Sequence, residues 1–190
     1  MFKRDNLSGL FWTAMLIGIC CSCSRPRKAL FEIVSSAQSG IHFNNRLIPH
    51  DSLNILDYLY YYNGGGVAVG DINGDGLPDI YFTANSKGGN KLYLNKGNFR
   101  FEDITEKAGV KGSADWYTGA TMADVNGDGW LDIYVCSVNQ KLGLRGHNEL
   151  FINNHDGTFT ESAAAYGLDF SGYSTQAVFF DYDHNGYLDC

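Results

Sequence analysis

Acidic and amide side chains recur at a fixed spacing in three short segments, residues 71–79, 124–132 and 181–189, here called loops 1, 2 and 3. Each loop carries an oxygen-bearing side chain at its first, third, fifth and ninth positions and a glycine at its sixth. A glycine at that place permits the sharp bend that wraps several oxygens around one point. The oxygen-bearing side chains are Asp71, Asn73, Asp75 and Asp79; Asp124, Asn126, Asp128 and Asp132; and Asp181, Asp183, Asn185 and Asp189.

These oxygens suit a hard divalent cation. Each loop brings three carboxylates and one amide together, and the carboxylates repel one another unless a cation lies among them. A flexible loop with many oxygen ligands suits Ca²⁺ better than Mg²⁺, which requires stricter octahedral geometry, and the loops hold no His/Cys set typical of zinc. We therefore predict three calcium ions, one in each loop. The backbone carbonyl of the seventh residue is a further candidate ligand: Leu77, Trp130 and Tyr187.

Two other interpretations fit part of this pattern. An EF-hand shares the first, third and fifth ligand positions, but it requires flanking helices and a glutamate at position twelve, where loops 1 and 2 have Phe82 and Val135. Ordinary Asp/Asn/Gly turns are also common. Because three such loops recur in register, the sequence favours metal sites over turns.

A longer unit recurs around the loops. A short apolar run precedes each loop, a β-type run follows loops 1 and 2, and KLYLN (91–95) then matches ELFIN (149–153). Four short strands per unit, joined by turns, are typical of propeller blades. The sequence predicts an all-β fold, a β-propeller of four-stranded blades with the calcium loop between strands 1 and 2. Blades are predicted at 66–110 and 119–168, with the start of a third at 176–190.

The segments before the first blade extend this interpretation. Residues 31–41 (FEIVSSAQSGI) resemble the fourth strand and turn of a unit, so we expect them to complete the last blade of a ring. The chain would then be an incomplete fragment of about two and a half blades. Residues 42–65 are predicted to be a long connection. Its tyrosines suit either ligand contact or packing on the edge of the barrel: Tyr58, Tyr60, Tyr61 and Tyr62.

Residues 1–23 are predicted to be an export signal, followed by a linker at 24–30. A positive stretch precedes an apolar run at 10–19 that is too short to span a bilayer as a helix. The cysteines that follow resemble a bacterial lipoprotein signal, in which a small residue precedes the lipidated cysteine, and Cys23 follows Ser22. Ordinary cleavage and an uncleaved anchor are the alternatives. We expect an exported protein, lipid-anchored through Cys23, in the bacterial outer membrane or periplasm or on the cell surface.

The repeat resembles the FG-GAP/VCBS repeats of integrin α-subunit propellers and of bacterial secreted proteins related to cartilage acidic protein. The resemblance rests on the run YNGGGVAVGDINGDG (62–76) and on the pairing of LYLN and FEDIT with loop 1. It implies a calcium-binding β-propeller. The Phe-Gly…Gly-Ala-Pro signature of the integrin version is absent from this sequence, so integrin-like ligand binding is not implied.

Charge and residue content narrow the function. The formal net charge of −7 gives no basic footprint for nucleic acid. The five histidines show no spacing typical of a catalytic set, and no nucleophile motif is present. We therefore predict a calcium-stabilised binding or adhesion module of the cell envelope that recognises a protein or glycan. The alternative is the propeller domain of a secreted carbohydrate-active enzyme, such as a polysaccharide lyase.

Overall fold

The computed structural model describes residues 29–49, 51–140 and 142–190. The chain divides into two units, 1–34 and 35–190, and the second unit holds the helices and strands described below. The predicted export signal, with Cys23, and residues 24–28 of the predicted linker lie outside the described residues.

Two four-stranded antiparallel sheets form the described part of the second unit. The first sheet contains β1 (Val67–Gly70), β2 (Asp79–Phe82), β3 (Lys91–Asn95) and β4 (Phe101–Asp103). The second contains β5 (Tyr117–Ala123), β6 (Asp132–Ser137), β7 (Glu149–Asn153) and β8 (Phe159–Glu161). In each sheet the strands are neighbours in sequence order. This arrangement is consistent with two propeller blades, although the residues described do not form a closed propeller.

The first and second strands pair at equivalent residues in both sheets where they meet the acidic loops. Gly70 pairs with Asp79 at the end of β1, and Ala123 pairs with Asp132 at the end of β5. Loops 1 and 2 therefore connect the first and second strands of their sheets, and the ninth loop residue is the first residue of the second strand. This geometry holds the two ends of each loop a single strand spacing apart.

Three one-turn helices make the described fold mostly β rather than all-β. They are α1 (Ser36–Ser39), α2 (Thr105–Ala108) and α3 (Ala163–Tyr166). Each ends at a glycine with a left-handed φ, between 69° and 79°, a conformation that glycine adopts without a Cβ penalty. None of the described helices has the length and hydropathy needed to cross a membrane.

The segment 31–41 has no strand partner among the described residues, so its role as the fourth strand of another blade stays a prediction. It contains α1 but no strand. An extended segment becomes a strand only where its backbone N–H and C=O groups pair with a neighbour, and sequence similarity to a fourth strand does not supply that neighbour. The turn half of the prediction corresponds to α1 and Gly40, in the same order as α2 and Gly109 of the first sheet.

The main hydrophobic core lies between the two sheets. Ala68 and Tyr81 of the first sheet belong to one buried cluster with Tyr117 and Ile133 of the second. Near the starts of β1 and β5 the backbones approach closely, because a Cβ at Gly66 would lie only 2.7 Å from the backbone oxygen of Thr118. Glycine at this position therefore allows the sheets to pack without a gap.

The connection 42–65 packs against the second sheet. Leu53, Tyr58 and Tyr61 are buried in a second cluster with Trp116 and Val138. Two of the four tyrosines therefore have a packing role beside the second sheet. Tyr60 and Tyr62 are each 62% exposed.

Residues 176–190 lie beside the second sheet. Thr121 donates its hydroxyl to the backbone oxygen of Ala177 at 2.6 Å, and Phe179 packs edge-on against Tyr134. Phe180 and Asp189 form an isolated antiparallel bridge at the two ends of loop 3. The two ends of loop 3 thus pair at the same positions as those of loops 1 and 2, although the flanking residues form only a single bridge and no strand.

Candidate metal centre

The first aspartate of each loop organises the backbone around itself. In loop 1 the Asp71 carboxylate accepts backbone N–H groups from the fourth, fifth and sixth residues at 2.8, 3.2 and 2.7 Å. Asp124 accepts the same three groups in loop 2 at 2.8, 3.0 and 2.8 Å. Asp181 accepts those of the fifth and sixth residues in loop 3, both at 3.0 Å. These bonds favour the anion, and they hold the pKa of Asp71 below its ordinary value.

The sixth residue of each loop has a left-handed backbone. The φ angles are 83° at Gly76, 90° at Gly129 and 89° at Gly186. A Cβ at any of the three would meet no atom within 4 Å, so backbone conformation rather than space requires glycine there.

In loops 1 and 2 the ninth aspartate joins the start of the loop to the third strand of the sheet. Asp79 and Asp132 are fully buried, and each accepts the backbone N–H of the second loop residue at 3.0 Å. Each also accepts a backbone N–H from the last residue of the third strand, Asn95 at 2.7 Å and Asn153 at 2.8 Å. Burial raises the pKa of both carboxyls, and the neighbouring loop carboxylates raise it further. A cation beside these groups would reverse that effect.

The third and fifth side chains lie together at the rim of the loop. The amide of Asn73 donates to the Asp75 carboxylate at 3.0 Å, and that of Asn126 donates to Asp128 at 2.7 Å. In all three loops the seventh backbone N–H donates to the fifth side chain at 2.8 Å. This bond holds the backbone of the seventh residue, whose carbonyl is a predicted ligand, next to the fifth side chain.

Loop 3 brings three carboxylates closest together. One oxygen each from Asp181, Asp183 and Asp189 lies within 4.8 Å of the others, and no other group of three acidic, histidine or cysteine side chains in the described chain meets this condition. Loops 1 and 2 have an asparagine in place of Asp183. The predicted ligands of all three loops are oxygen atoms, which fits Ca²⁺.

Loop 2 contacts a histidine that the spacing of its ligand residues did not predict. His155, in the hairpin after β7, places its Nε2 3.0 Å from Asp128 Oδ2 and stacks on Trp130 at a ring distance of 4.8 Å. The backbone N–H of Trp130 and the contact with His155 hold the pKa of Asp128 below its ordinary value. The matching hairpin position of the first sheet is Gly97, so the contact is peculiar to one repeat.

The three loops and the segments around them match a known repeat family. The model of the FG-GAP-like repeat matches residues 71–135 and 138–190, which include all three loops. The chain belongs to the FG-GAP-like repeat family. The resemblance inferred from the sequence is thus confirmed, and FG-GAP repeats typically bind calcium.

Relatives of this FG-GAP chain include animal proteins. Cartilage acidic protein 1 of Xenopus tropicalis is 41% identical over 55% of this chain and 15% of its own length. The Mus musculus protein of the same name is 41% identical over 38% and 11%. Integrin alpha-4 of Xenopus laevis is 31% identical over 67% and 14%. The chain thus spans between 11% and 15% of the length of these relatives.

Proposed function

We propose that this FG-GAP repeat domain is a calcium-stabilised binding module that holds one ion in each of loops 1, 2 and 3. The observation that carries the proposal is the hydrogen-bond frame that recurs in loops 1 and 2 and largely in loop 3, around the same side-chain oxygens. The first, third, fifth and ninth side chains and the seventh carbonyl would hold the ion. Calcium would supply the positive charge that turns repulsion among three carboxylates into coordination.

The test is the dependence of stability on calcium. A ligand that binds only the folded state stabilises it by about 2.7 kcal/mol per site at a hundredfold excess over Kd. The full chain should therefore lose thermal stability in EGTA, regain it with Ca²⁺ and respond far less to Mg²⁺. Asp128→Ala should remove one site from the calcium titration, whereas Asn98→Ala, in a hairpin of the first sheet, should leave the number of sites unchanged. A melting temperature indifferent to EGTA and to Asp128→Ala would contradict the proposal.

We propose further that the module recognises a protein or glycan at the cell envelope. A cavity of about 250 Å³ supports this, because aromatic Tyr60 and Trp116 line it together with polar Thr118 and Gln176. Aromatic faces combined with a few polar groups suit a sugar ring or a peptide. Binding to an oligosaccharide or peptide array should weaken in Tyr60→Ala, with Tyr62→Ala, equally exposed but outside the cavity lining, as the control. Equal binding by both variants would argue against this surface.

We also propose export and lipid anchoring through Cys23, on the basis of the sequence alone. Cys23→Ser should release the protein from the membrane fraction and stop its labelling by a palmitate analogue. Cys21→Ser is the matched control and should change neither. Labelling that persists in Cys23→Ser would assign the anchor to another cysteine, and the absence of labelling in the native chain would remove the anchor altogether.

A further inference from the structure

A chain of hydrogen bonds links loop 1 to loop 2 across the two sheets. Asn153, the last residue of β7, lies at its centre. Its backbone N–H donates to Asp132 Oδ1 of loop 2 at 2.8 Å, and its Nδ2 donates to the backbone oxygen of Ile72 in loop 1 at 2.8 Å. Ile72 in turn donates its backbone N–H to Asp79 Oδ2 at 3.0 Å. The ninth carboxylates of the two loops are therefore joined through two residues.

Water is excluded from this chain of bonds. Asp79 and Asp132 are 0% exposed, Ile72 is 3% exposed and Asn153 is 4% exposed. A buried polar group that loses its protein partner cannot replace it with water. If the residue at one end of this chain of bonds moves, the other residues must move with it, or a buried hydrogen bond is lost.

The first sheet contains a natural comparison. Asn95 ends β3 as Asn153 ends β7, and its Nδ2 donates to the backbone oxygen of Pro78 at 2.8 Å, within its own sheet. Asn153 makes the matching bond to the backbone oxygen of Leu131 at 3.1 Å and adds the bond to Ile72 in the other sheet. The bond to Ile72 is thus the feature that could carry an effect from one loop to the next.

We propose that Asn153 couples the two sites, so that a calcium ion in loop 1 raises the affinity of loop 2 and the reverse. The inference rests on the proposed function, in which both loops bind calcium. An ion in loop 2 fixes Asp132 and with it the amide of Asn153, which then holds Ile72 and orients Asp79 in loop 1. Ordering that the first ion has already imposed need not be repeated by the second, and the resulting coupling is reciprocal.

The coupling is measured on the full chain as the change in loop 2 affinity when loop 1 is disabled. Loop 2 is followed by the luminescence of Tb³⁺ sensitised by Trp130, with Ca²⁺ as competitor, and Asp128→Ala should abolish this signal. Asp75→Ala disables loop 1 and should weaken calcium binding at loop 2 about fivefold or more, the lower end of ordinary coupling between sites. In an Asn153→Ala background, Asp75→Ala should leave the calcium affinity of loop 2 unchanged. In an Asn95→Ala background, Asp75→Ala should still weaken that affinity about fivefold.

A second variant guards against a loss of folding in Asn153→Ala. Asn153→Ser keeps a side-chain oxygen that can accept the backbone N–H of His155, as Asn153 Oδ1 does at 2.9 Å, but its side chain is too short to reach the backbone oxygen of Ile72. It too should abolish the effect of Asp75→Ala. An unchanged loop 2 affinity in Asp75→Ala alone, or a fivefold effect that persists in an Asn153 variant, overturns the coupling and leaves calcium binding intact. The absence of Tb³⁺ and Ca²⁺ binding in every loop would contradict the proposed function and the coupling together.

Discussion

At the scale of single residues, two carboxylates of loop 2 have different surroundings although both are predicted ligands. Asp132 is fully buried and accepts two backbone N–H groups. The side chain of Asp128 is 27% exposed and contacts His155. The first carboxylate is therefore held by the backbone of the sheet, whereas the second lies at the solvent-accessible rim of the loop.

This difference predicts losses of stability of different size when the two aspartates are substituted in EGTA. Asp132→Ala leaves the backbone N–H groups of Val125 and Asn153 without their acceptor, so it should destabilise the metal-free chain by about 2 kcal/mol. Asp128→Ala should stay within about 0.5 kcal/mol, as surface substitutions usually do, because water can reach the groups it leaves. Urea denaturation of the two variants in EGTA gives both values. Equal losses would show that burial does not separate the two roles.

A second prediction concerns pH. The folded-state pKa of Asp79 and Asp132 is raised above the ordinary value of 3.8, so in the metal-free protein their ionisation lowers stability as pH rises through the raised pKa. Calcium binds the ionised carboxylates, so its affinity should rise with pH between 3.8 and the raised pKa. On acidification the affinity should therefore begin to fall while the pH is still above 3.8. Calcium titrations at a series of pH values measure this. In Asp132→Asn the pH dependence of loop 2 should become shallower, and a constant native affinity down to pH 3.8 would contradict the prediction.

At the scale of elements, the strands were more predictable than the helices and the contacts between sheets. Four strands per unit and the place of the loops followed from patterns that recur in the chain, because alternation and turn residues act locally. The four-residue helices α2 and α3 were not predicted, since FEDITEKAGV also fits a strand followed by a turn. The bond from Asn153 to Ile72 joins residues 81 positions apart and depends on how one sheet packs on the next. The asparagine at the end of both third strands was visible in the sequence, but its partner was not.

Because β1 and β5 approach closely, adding a single methyl group at Gly66 should destabilise the protein. Gly66→Ala would place a Cβ 2.7 Å from the Thr118 oxygen and 2.8 Å from the Ala120 nitrogen, both backbone atoms that cannot turn aside. Overpacking of this kind typically costs 1–3 kcal/mol, so we expect a loss of about 2 kcal/mol. The neighbouring Val67→Ala, on a residue that is 55% exposed, should cost less. Thermal melts in saturating calcium compare the two, and a neutral Gly66→Ala would mean that the sheets separate easily.

At the scale of the whole molecule, much of the charge is concentrated where the ions are proposed to lie. Nine of the 21 acidic residues belong to loops 1, 2 and 3, and the formal net charge is −7. Three divalent ions would bring the charge close to zero and remove most of the repulsion between copies of the chain. Calcium should therefore stabilise each molecule and at the same time reduce its colloidal solubility.

This balance predicts calcium-dependent self-association. Val67 and Val69 of β1 are 55% and 60% exposed and point to the same face of the sheet, which leaves apolar surface available for contact. Sedimentation should detect larger species at high protein concentration, and more of them with Ca²⁺ than with EGTA. The double variant Val67→Thr, Val69→Thr keeps β-branched residues but adds hydroxyls, so it should reduce association. A single monomeric boundary in both conditions would contradict the prediction.

The bonds that hold the first loop aspartates also bear on the chemical ageing of the protein. Loops 1, 2 and 3 each contain an Asn-Gly step, at residues 73–74, 126–127 and 185–186. Such steps deamidate when the glycine nitrogen attacks the asparagine side chain to form a succinimide. Here each of those nitrogens donates to an aspartate carboxylate at 2.8 to 3.0 Å, which restrains the attack. Mass spectrometry of stored protein should find deamidation first at the exposed Asn63-Gly64 step, with damage spreading to the loops once calcium is withdrawn. Calcium would then set the shelf life of the molecule as well as its stability.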